Sequence, residues 1–381
     1  MGNRTLSEET YKRAVDELPP EEEGPVTAKA EQKAHETGKL DPLVDPAGYG
    51  AIRRSLMRFE ETESGLFRVT VGTPVPVETR VDTTGSMGGN VDVALRVLPV
   101  AFGLDQGVLP GCDVQMATGI FGDICDRFVL CRPQFEMEAE KIVHQLTLMV
   151  PERAGGDFPE DPHYGLFGAA YLTAAYINRI GLKSYDFTVS DAPARKLLDE
   201  QQLIRIFGEE VFEKAAANGY QIDKNELPTT AEVVEDLLKR AHAFFLQVGR
   251  NSETTRFWTE IFGDDRVIAL PSTEMLPQEQ AVIIGLTEGT LALSDVVDFL
   301  RENNVNAKDA KAIATSVARI PIEVQAALPN YNRRPKINDL FKSKTDLWPL
   351  TAEELKAFEE SNEAGKNAET DKDKKGEINW L

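Results

Sequence analysis

The sequence predicts an α/β fold: a doubly wound, mostly parallel sheet with one antiparallel edge strand, plus a small C-terminal helical extension. First, strand-like and helix-like patterns alternate from about residue 66 to residue 292, as they do when helices cover both faces of a parallel sheet. Second, runs such as HAFFLQVG at 242–249 are mostly apolar without alternation, which suits a strand buried on both faces. Third, a polar loop follows the strand-like run that ends at Asp82, and such folds bind ligands at the carboxyl ends of their strands.

The composition limits the classes of protein to which the chain can belong. Its 381 residues, 41% of them hydrophobic, suffice for a sizeable core, and no apolar run is long enough to predict a membrane span. The net charge of −21 disfavours nucleic acid as a partner, because phosphate would be repelled over most of the surface. The three cysteines (Cys112, Cys125 and Cys131) and the lack of a secretory leader predict a cytoplasmic protein with reduced thiols. Cys125 and Cys131 are expected to pack in the core.

The chain divides into four predicted regions. Residues 1–45 are rich in Glu, Lys, Ala and Pro and predict a disordered or loosely helical acidic arm. Residues 46–292 form the α/β domain, with its core at 66–292. Residues 293–360 predict a helical extension, and 361–381 a charged flexible tail.

The region before the main sheet carries weaker patterns. AIRRSLMRF at 51–59 predicts a short amphipathic helix, and GLFRVTVG at 65–72 predicts a strand at a sheet edge. Because Pro74 and Pro76 cannot donate to a β-ladder, the central strand is predicted to begin no earlier than about Val77.

The following elements alternate in type. VDVALRVLPVAFG has apolar residues at helical spacing, and Gly103 is placed to end that helix. CDVQMATGIFGD and RFVLCRPQFE predict two antiparallel strands, and MEAEKIVHQLTLMV predicts an amphipathic helix with His144 at its surface. LFGAAYLTAAYINRIG predicts a helix packed on both sides. The later strands are predicted at YDFTVS, HAFFLQVG and DRVIALP, and the later helices at ARKLLDEQQLIRIFGEEVFEKAAANG, AEVVEDLLKRA, TTRFWTEIFG and PQEQAVIIGLTEGTLAL.

Three loops carry candidate ligands for a metal ion. In VDTTGSM, Asp82, Thr84 and Ser86 occupy alternate positions, so their side chains can lean to one side. RAGGDFPEDPHYG places Asp157 after two glycines, and the strand-like run YDFTVS leads to Asp191. Carboxylate and hydroxyl oxygens suit hard divalent cations. The three loops are expected to lie at strand ends and to form one site.

Catalytic alternatives fit the residues less well. DTTG differs from the Asp-Thr-Gly of aspartic proteases and has no second copy, and neither a nucleophile elbow at Ser86 nor a phosphate-binding loop is present. A metal-dependent hydrolase could use Glu160 or His163 as a base. We expect instead that His163 is a surface residue at a helix start, that Glu160 and Asp161 complement that helix dipole, and that Asp123 and Asp126 stabilise a turn. No catalytic residue is assigned, and the chain is not expected to be an enzyme.

The sequence resembles von Willebrand factor A (vWA) domains, the fold shared by integrin inserted domains and many bacterial proteins. The family's motif Asp-x-Ser/Thr-x-Ser is met by Asp82, Thr84 and Ser86, and its third-loop aspartate by Asp191. The segment GGDFPED is similar to the corresponding segment of A domains related to those of alpha-kinases. The resemblance implies a Rossmann-like fold and a metal-ion-dependent adhesion site holding Mg²⁺, with Mn²⁺ or Ca²⁺ as alternatives. It also implies a protein partner whose acidic side chain completes the metal shell.

Within that family, soluble bacterial members resemble adaptors or co-chaperones of MoxR-type ring ATPases, so such an ATPase is the most specific partner expected. The alternative is a structural or assembly component of a larger particle, in which the metal is structural. If Asp157 occupies the position where many relatives have threonine, a third carboxylate would hold the metal more tightly and reduce its need for a partner's carboxylate. Alternatively, Asp157 acts through water or turns away from the metal.

Overall fold

The computed structural model describes residues 28–55, 59–61, 63, 65, 67–69, 73–155, 158–180, 182–320 and 340–341. The described strands, in chain order, are β1 (Arg53–Arg54), β2 (Phe59–Glu61), β3 (Phe67–Val69), β4 (Thr73–Asp82), β5 (Cys112–Phe121), β6 (Leu130–Cys131), β7 (Thr173–Ala174), β8 (Ser184–Ser190), β9 (Ala241–Gln247), β10 (Val267–Ala269) and β11 (Leu340–Phe341). The described α-helices are α1 (Ala28–Thr37), α2 (Asn90–Val108), α3 (Ala139–Thr147), α4 (Pro162–Tyr171), α5 (Glu200–Phe207), α6 (Val211–Ala217), α7 (Thr230–Leu238), α8 (Ser252–Phe262), α9 (Leu276–Glu288), α10 (Val296–Glu302) and α11 (Ala307–Ser316).

The main sheet has six strands in the order β10-β9-β8-β4-β5-β6. Every neighbouring pair is parallel except β5 and β6, which are antiparallel at one edge. From β4 the chain first adds β5 on one side and later adds β8 on the other side. The strand order therefore reverses beside β4, and the predicted fold class is confirmed.

Helices cover both faces of this sheet. The first core lies between one face and α2, α3, α9, α10 and α11, and the second core lies between the opposite face and α4 to α8. Residues of β4 alternate between them: Val77 and Val81 belong to the first core, whereas Glu78 and Arg80 lie on the other face because strand side chains alternate. α4 is buried along its whole length, as the sequence predicts for a helix packed on both sides, but it ends at Tyr171, and Thr173–Ala174 of the predicted helix form β7.

The central strand begins earlier than the prolines suggest. β4 pairs with β5 from Thr73, whereas its pairing with β8 begins only at Val77. Pro74 and Pro76 thus lie where the strand has a partner on one side only, and a missing N–H is tolerated there. The predicted start at Val77 is wrong for the strand but coincides with the onset of two-sided pairing.

Two predictions about helices are wrong because tertiary contacts override local patterns. Within 51–59, Arg53 and Arg54 form β1, which pairs with β7. The Arg53 side chain is 1% exposed, and its Nη2 donates to the Arg132 carbonyl oxygen at 2.6 Å. α2 continues past Gly103, because apolar residues on both sides of this glycine are buried in the first core.

The ends of the chain are partly described. α1 buries Ala34 (2% exposed) in the first core, so residues 28–45 pack on the α/β domain. The helices α10 and α11 of the C-terminal extension pack back on the same core through residues that include Leu300 and Ile313. The predictions for residues 1–27 and 361–381 lie outside the described residues.

The cysteines differ in their surroundings. Cys112 and Cys131 are buried as free thiols, whereas Cys125 is exposed, so the predicted core position is confirmed for Cys131 and wrong for Cys125. Cys125 lies in the turn where its N–H donates to Asp123 Oδ1 at 2.8 Å. No helix in the described part of the chain is long and apolar enough to cross a membrane.

A network of buried ions lies on the second face of the sheet. Arg80 is fully buried and donates to both carboxylate oxygens of Asp186, at 2.7 and 2.5 Å. Arg80 also lies 3.1 Å from Glu78, which in turn accepts from Arg132 Nε at 2.7 Å. Burial raises the pKa of Glu78, but Arg132 and Arg80 outweigh burial and bring this pKa down to about 2. Glu78 therefore stays ionised inside the protein, whereas burial raises the pKa of Asp186 and the charge of Arg80 opposes this rise.

Gly165 of α4 allows the helix to approach this network, and Gly165→Ala is expected to reduce the free energy of unfolding by about 1–3 kcal/mol. A Cβ at Gly165 would lie 2.7 Å from Arg80 Cδ and 2.9 Å from Nε. The arginine cannot move aside without losing its contacts with Asp186. Urea denaturation measures the change. The matched control is Gly107→Ala in α2, where a Cβ meets nothing within 4 Å. Equal stability of the two variants would contradict the tight packing of Arg80 against α4.

Candidate functional site

The predicted ligand residues lie at the carboxyl ends of β4 and β8. Asp82 ends β4, and Ser190 ends the neighbouring strand β8, immediately before Asp191. Val81 pairs with Val189 in the register of the two strands, so Asp82 and Ser190 are level with each other. These strands flank the point where the strand order reverses, which is where open α/β sheets bind ligands.

Asp82 is held from both sides. Its Oδ1 accepts hydrogen bonds from Thr84 N at 2.8 Å and Thr84 Oγ1 at 2.7 Å, and its Oδ2 accepts from Ser190 Oγ at 2.5 Å. The two hydrogen bonds from Thr84 bend the chain back over the end of the strand, as Asx turns do. The contact with Ser190 joins two strands. Ser190 is a site residue that the sequence prediction missed, because its role depends on the pairing of β4 with β8.

Hydrogen bonds continue outward from Asp82 to solvent. Thr84 Oγ1 lies 3.3 Å from Ser86 Oγ, and Ser86 Oγ donates to Asp191 Oδ1 at 2.8 Å. Asp82 is fully buried, whereas Ser86 is exposed and Asp191 is half-buried. Four of the five predicted ligand residues thus form one chain of contacts with a deep end and an open end.

The fifth residue, Asp157, lies outside the described residues. Its neighbour Gly155 is close to the first loop, since a Cβ there would lie 3.6 Å from Gly85 N and 3.9 Å from Thr84 Cβ. The second loop therefore reaches the site, although it connects α3 to α4 and does not follow a strand. The prediction that all three loops lie at strand ends is wrong for this one.

The electrostatics of Asp82 favour a positive ligand. Burial raises the pKa of Asp82 to about 6; hydrogen bonds from Ser190 and Thr84 act against this rise, and the charge of Asp191 adds to it. The site groups are two carboxylates and several hydroxyls, all oxygen donors, and this set fits a hard divalent cation such as Mg²⁺. The described residues contain no group of three or more His, Cys, Asp or Glu side chains placed to hold a metal.

Glu160 adds a further carboxyl group near Asp82. It is 5% exposed, and burial, followed by the charges of Asp82, Asp123 and Asp161, raises its pKa to about 8. Its backbone N–H donates to the Pro193 carbonyl at 3.0 Å. Glu160 lies two residues before the start of α4, and its backbone forms a short bridge between the second and third loops.

The roles predicted for the neighbouring polar residues are only partly correct. Asp161 precedes α4 without capping it, and its Oδ2 accepts from Ile124 N at 2.7 Å. His163, predicted to lie at the surface, is fully buried, and burial followed by Arg195 lowers its pKa to about 3. Asp123 and Asp126 stabilise a turn as predicted, with Asp123 N donating to Asp126 Oδ2 at 2.9 Å.

The third loop is fixed to α8. Thr254 Oγ1 donates to the Asp191 carbonyl oxygen at 2.9 Å, and Trp258 Nε1 donates to the Ala192 carbonyl oxygen at 2.9 Å. Trp258 is fully buried and stacks on Phe245 with ring centroids 4.5 Å apart. The position of Asp191 is therefore set by a helix anchored in the second core.

Comparison with known proteins matches this chain to solved structures only. No protein-family description matches the chain, and no curated protein matches it. Among solved structures, it is similar to the pilus adhesin SpaC from Lactobacillus rhamnosus GG in its open conformation, with a TM-score of 0.37 and 12% identity over 60% of this chain and 33% of the adhesin. Another form of SpaC gives a TM-score of 0.35 and 13% identity over 61% of this chain and 34% of the adhesin. The chain thus spans about a third of the adhesin's length.

Proposed function

We propose that this chain is a cytoplasmic vWA-domain protein that binds another protein through a divalent cation, most simply Mg²⁺, and that it is not an enzyme. The observation that carries the proposal is the continuous set of contacts from Asp82 through Thr84 and Ser86 to Asp191. It joins residues of two loops at the reversal of strand order, and these residues match the adhesion motif in kind and in chain order.

Each of these residues would supply a different ligand to the cation. Asp82 would supply the buried carboxylate, Thr84 and Ser86 the hydroxyl oxygens, and Asp191 the carboxylate at the open end, with Asp157 as a further carboxylate. When bound, the cation supplies a positive centre that accepts an oxygen ligand from outside the chain. Ser190 keeps Asp82 in place through its 2.5 Å hydrogen bond, which is the usual role of groups that orient metal ligands.

The partner that fits this site is a protein segment with an acidic side chain that completes the metal shell. A formal net charge of −21 opposes binding of nucleic acid and also repels an acidic partner unless a cation lies between them. The most specific partner we propose is a MoxR-type ring ATPase, for which the chain would be an adaptor or co-chaperone.

Asp191→Ala and Ser86→Ala are expected to weaken Mg²⁺ binding by about tenfold or more, because each removes an oxygen donor at the open end. Isothermal titration of the purified full chain with MgCl₂ measures the affinity. A pull-down in Mg²⁺ or in chelator, with a purified MoxR-type ATPase as the probe, then measures whether partner recovery follows the metal.

The matched control is Asp264→Ala, an exposed aspartate that follows α8 at the opposite end of the sheet. This variant should bind Mg²⁺ like the unaltered chain. Equal Mg²⁺ affinity in Asp191→Ala and the unaltered chain would contradict the metal site. Partner recovery that is indifferent to both chelator and Asp191→Ala would contradict the metal-bridged function.

A further inference from the structure

A groove of about 450 Å³ opens next to the candidate metal site. A volume of this size can take one or two side chains of a partner. Residues of the second loop, of the third loop and of α8 line it, namely Phe158, Pro159, Pro193, Arg195, Arg256 and Phe257.

The groove is continuous with the site because the same loops build both. Pro193 is two residues after Asp191, and the lining residue Glu253 is next to Thr254, whose Oγ1 donates to the Asp191 carbonyl oxygen at 2.9 Å. Arg195 joins the two loops, since its guanidinium donates to the Pro159 carbonyl oxygen and lies 3.3 Å from Asp161 Oδ2. A partner segment that reached Asp191 would therefore pass along the groove.

Exposed apolar side chains concentrate here. Among the described residues, three large apolar side chains are exposed: Phe158 at 48%, Leu197 at 69% and Leu293 at 40%. Phe158 lines the groove, and Leu197 follows its lining residue Lys196. Leu293 begins the short turn before α10, outside the groove. Apolar surface gathered beside a polar site indicates a contact surface for another protein.

The charges of the groove indicate the character of its occupant. Lys196 and Arg256 are exposed and form no ion pair within the described residues. Glu253 and Glu260, on either side of Arg256 along α8, also line the groove. The net charge of −21 repels carboxylates from most of the surface. In the groove, Lys196 and Arg256 balance the charges of Glu253 and Glu260, so a carboxylate-bearing segment is not repelled there.

We infer that this groove anchors a large apolar side chain of the same partner segment whose carboxylate reaches the metal site. The position of the partner's carboxylate at the metal rests on the proposed function. The contact of the apolar side chain with the groove does not. Because an extended segment advances about 3.3 Å per residue and the lining residue Pro193 is two residues from Asp191, the apolar residue and the acidic residue are separated by about two to four positions. The partner motif is thus a carboxylate and a large apolar residue in one short extended segment.

A phage-displayed library of random dodecapeptides, selected on the immobilised full chain in Mg²⁺, tests this inference. Enriched peptides are synthesised with a fluorophore and titrated by anisotropy against the unaltered chain and its variants. We expect the enriched peptides to share an acidic residue and a large apolar residue at that spacing. Phe158→Ser and Leu197→Ser should each weaken their binding about tenfold, as loss of an apolar anchor does, and Arg256→Glu should weaken it as well.

Leu293→Ser is the matched control, because it removes another exposed large apolar side chain, outside the groove, and should leave binding unchanged. Peptides that need Mg²⁺ and Asp191 but bind Phe158→Ser and Leu197→Ser normally would overturn the groove inference and leave the metal function standing. Peptides that depend on the groove but not on chelator would support the groove and contradict the metal function. A selection that enriches no peptide specific for the chain would overturn the groove inference.

Discussion

Arg80→Met is expected to reduce the free energy of unfolding by about 3–5 kcal/mol, which is the usual cost of removing one partner from a buried ion pair. The reason is that Asp186, 2% exposed, would lose two hydrogen bonds of 2.7 and 2.5 Å and remain as an uncompensated buried carboxylate. Glu78 would keep Arg132 as its partner. Urea denaturation followed by far-ultraviolet circular dichroism measures the loss.

The double variant Arg80→Met with Asp186→Leu separates the effect of the stranded charge from the effect of lost packing. Replacing both members of a buried pair by apolar residues is often close to neutral, so we expect the second change to restore much of the stability. Arg301→Met, at an exposed position of α10, controls for the substitution itself. A double variant no more stable than Arg80→Met alone would show that the carboxylate is not the source of the loss.

Glu279→Gln is expected to stabilise the protein at pH 8 by about 3 kcal/mol and to have little effect at pH 5. Glu279 of α9 is fully buried, and its described hydrogen bond is accepted from Ser316 Oγ of α11. Burial raises the pKa of Glu279 to about 8, and the hydrogen bond from Ser316 only partly opposes this rise.

The sign follows from the direction of the shift. A carboxyl group whose pKa is higher in the folded state keeps its proton there while the unfolded chain loses it. Its contribution to stability is therefore complete below about pH 4.5 and is lost as the pH rises towards 8. Glutamine cannot ionise, so this loss should vanish. Urea denaturation at pH 5 and pH 8 measures it, with the exposed Glu274→Gln as control. An equal effect of Glu279→Gln at both pH values would contradict the prediction.

The order of elements in the main sheet could be predicted because apolar runs and helical periodicity are local signals. HAFFLQVG is β9, and CDVQMATGIFGD contains β5. The errors arise where distant contacts decide the local structure. Arg53 enters a strand because its guanidinium finds backbone carbonyls 79 and 80 residues away, and Gly103 stays helical because both neighbouring turns pack in the first core.

The site could be predicted as far as its motif residues. Asp82, Thr84, Ser86 and Asp191 are brought together, and their spacing in the sequence indicated this. Ser190 and Glu160 could not be assigned in the same way, because their contacts depend on strand register and on the bridge between the second and third loops. Burial of His163 could not be predicted either, because its position next to Pro162 and Asp161 is typical of a polar helix start.

The contacts that hold Asp82 have a consequence for the rate of binding. Thr84, in the loop after β4, and Ser190, at the end of β8, fix its carboxylate, and Ser86 already contacts Asp191 across the site. The side chains are thus ordered during folding, and a ligand does not have to collect them from separate mobile loops. Ordering of side chains costs about 0.5–1.5 kcal/mol for each one immobilised on binding. Association should therefore be limited by encounter and loss of water, and differences among partners should be expressed mainly in how slowly they leave.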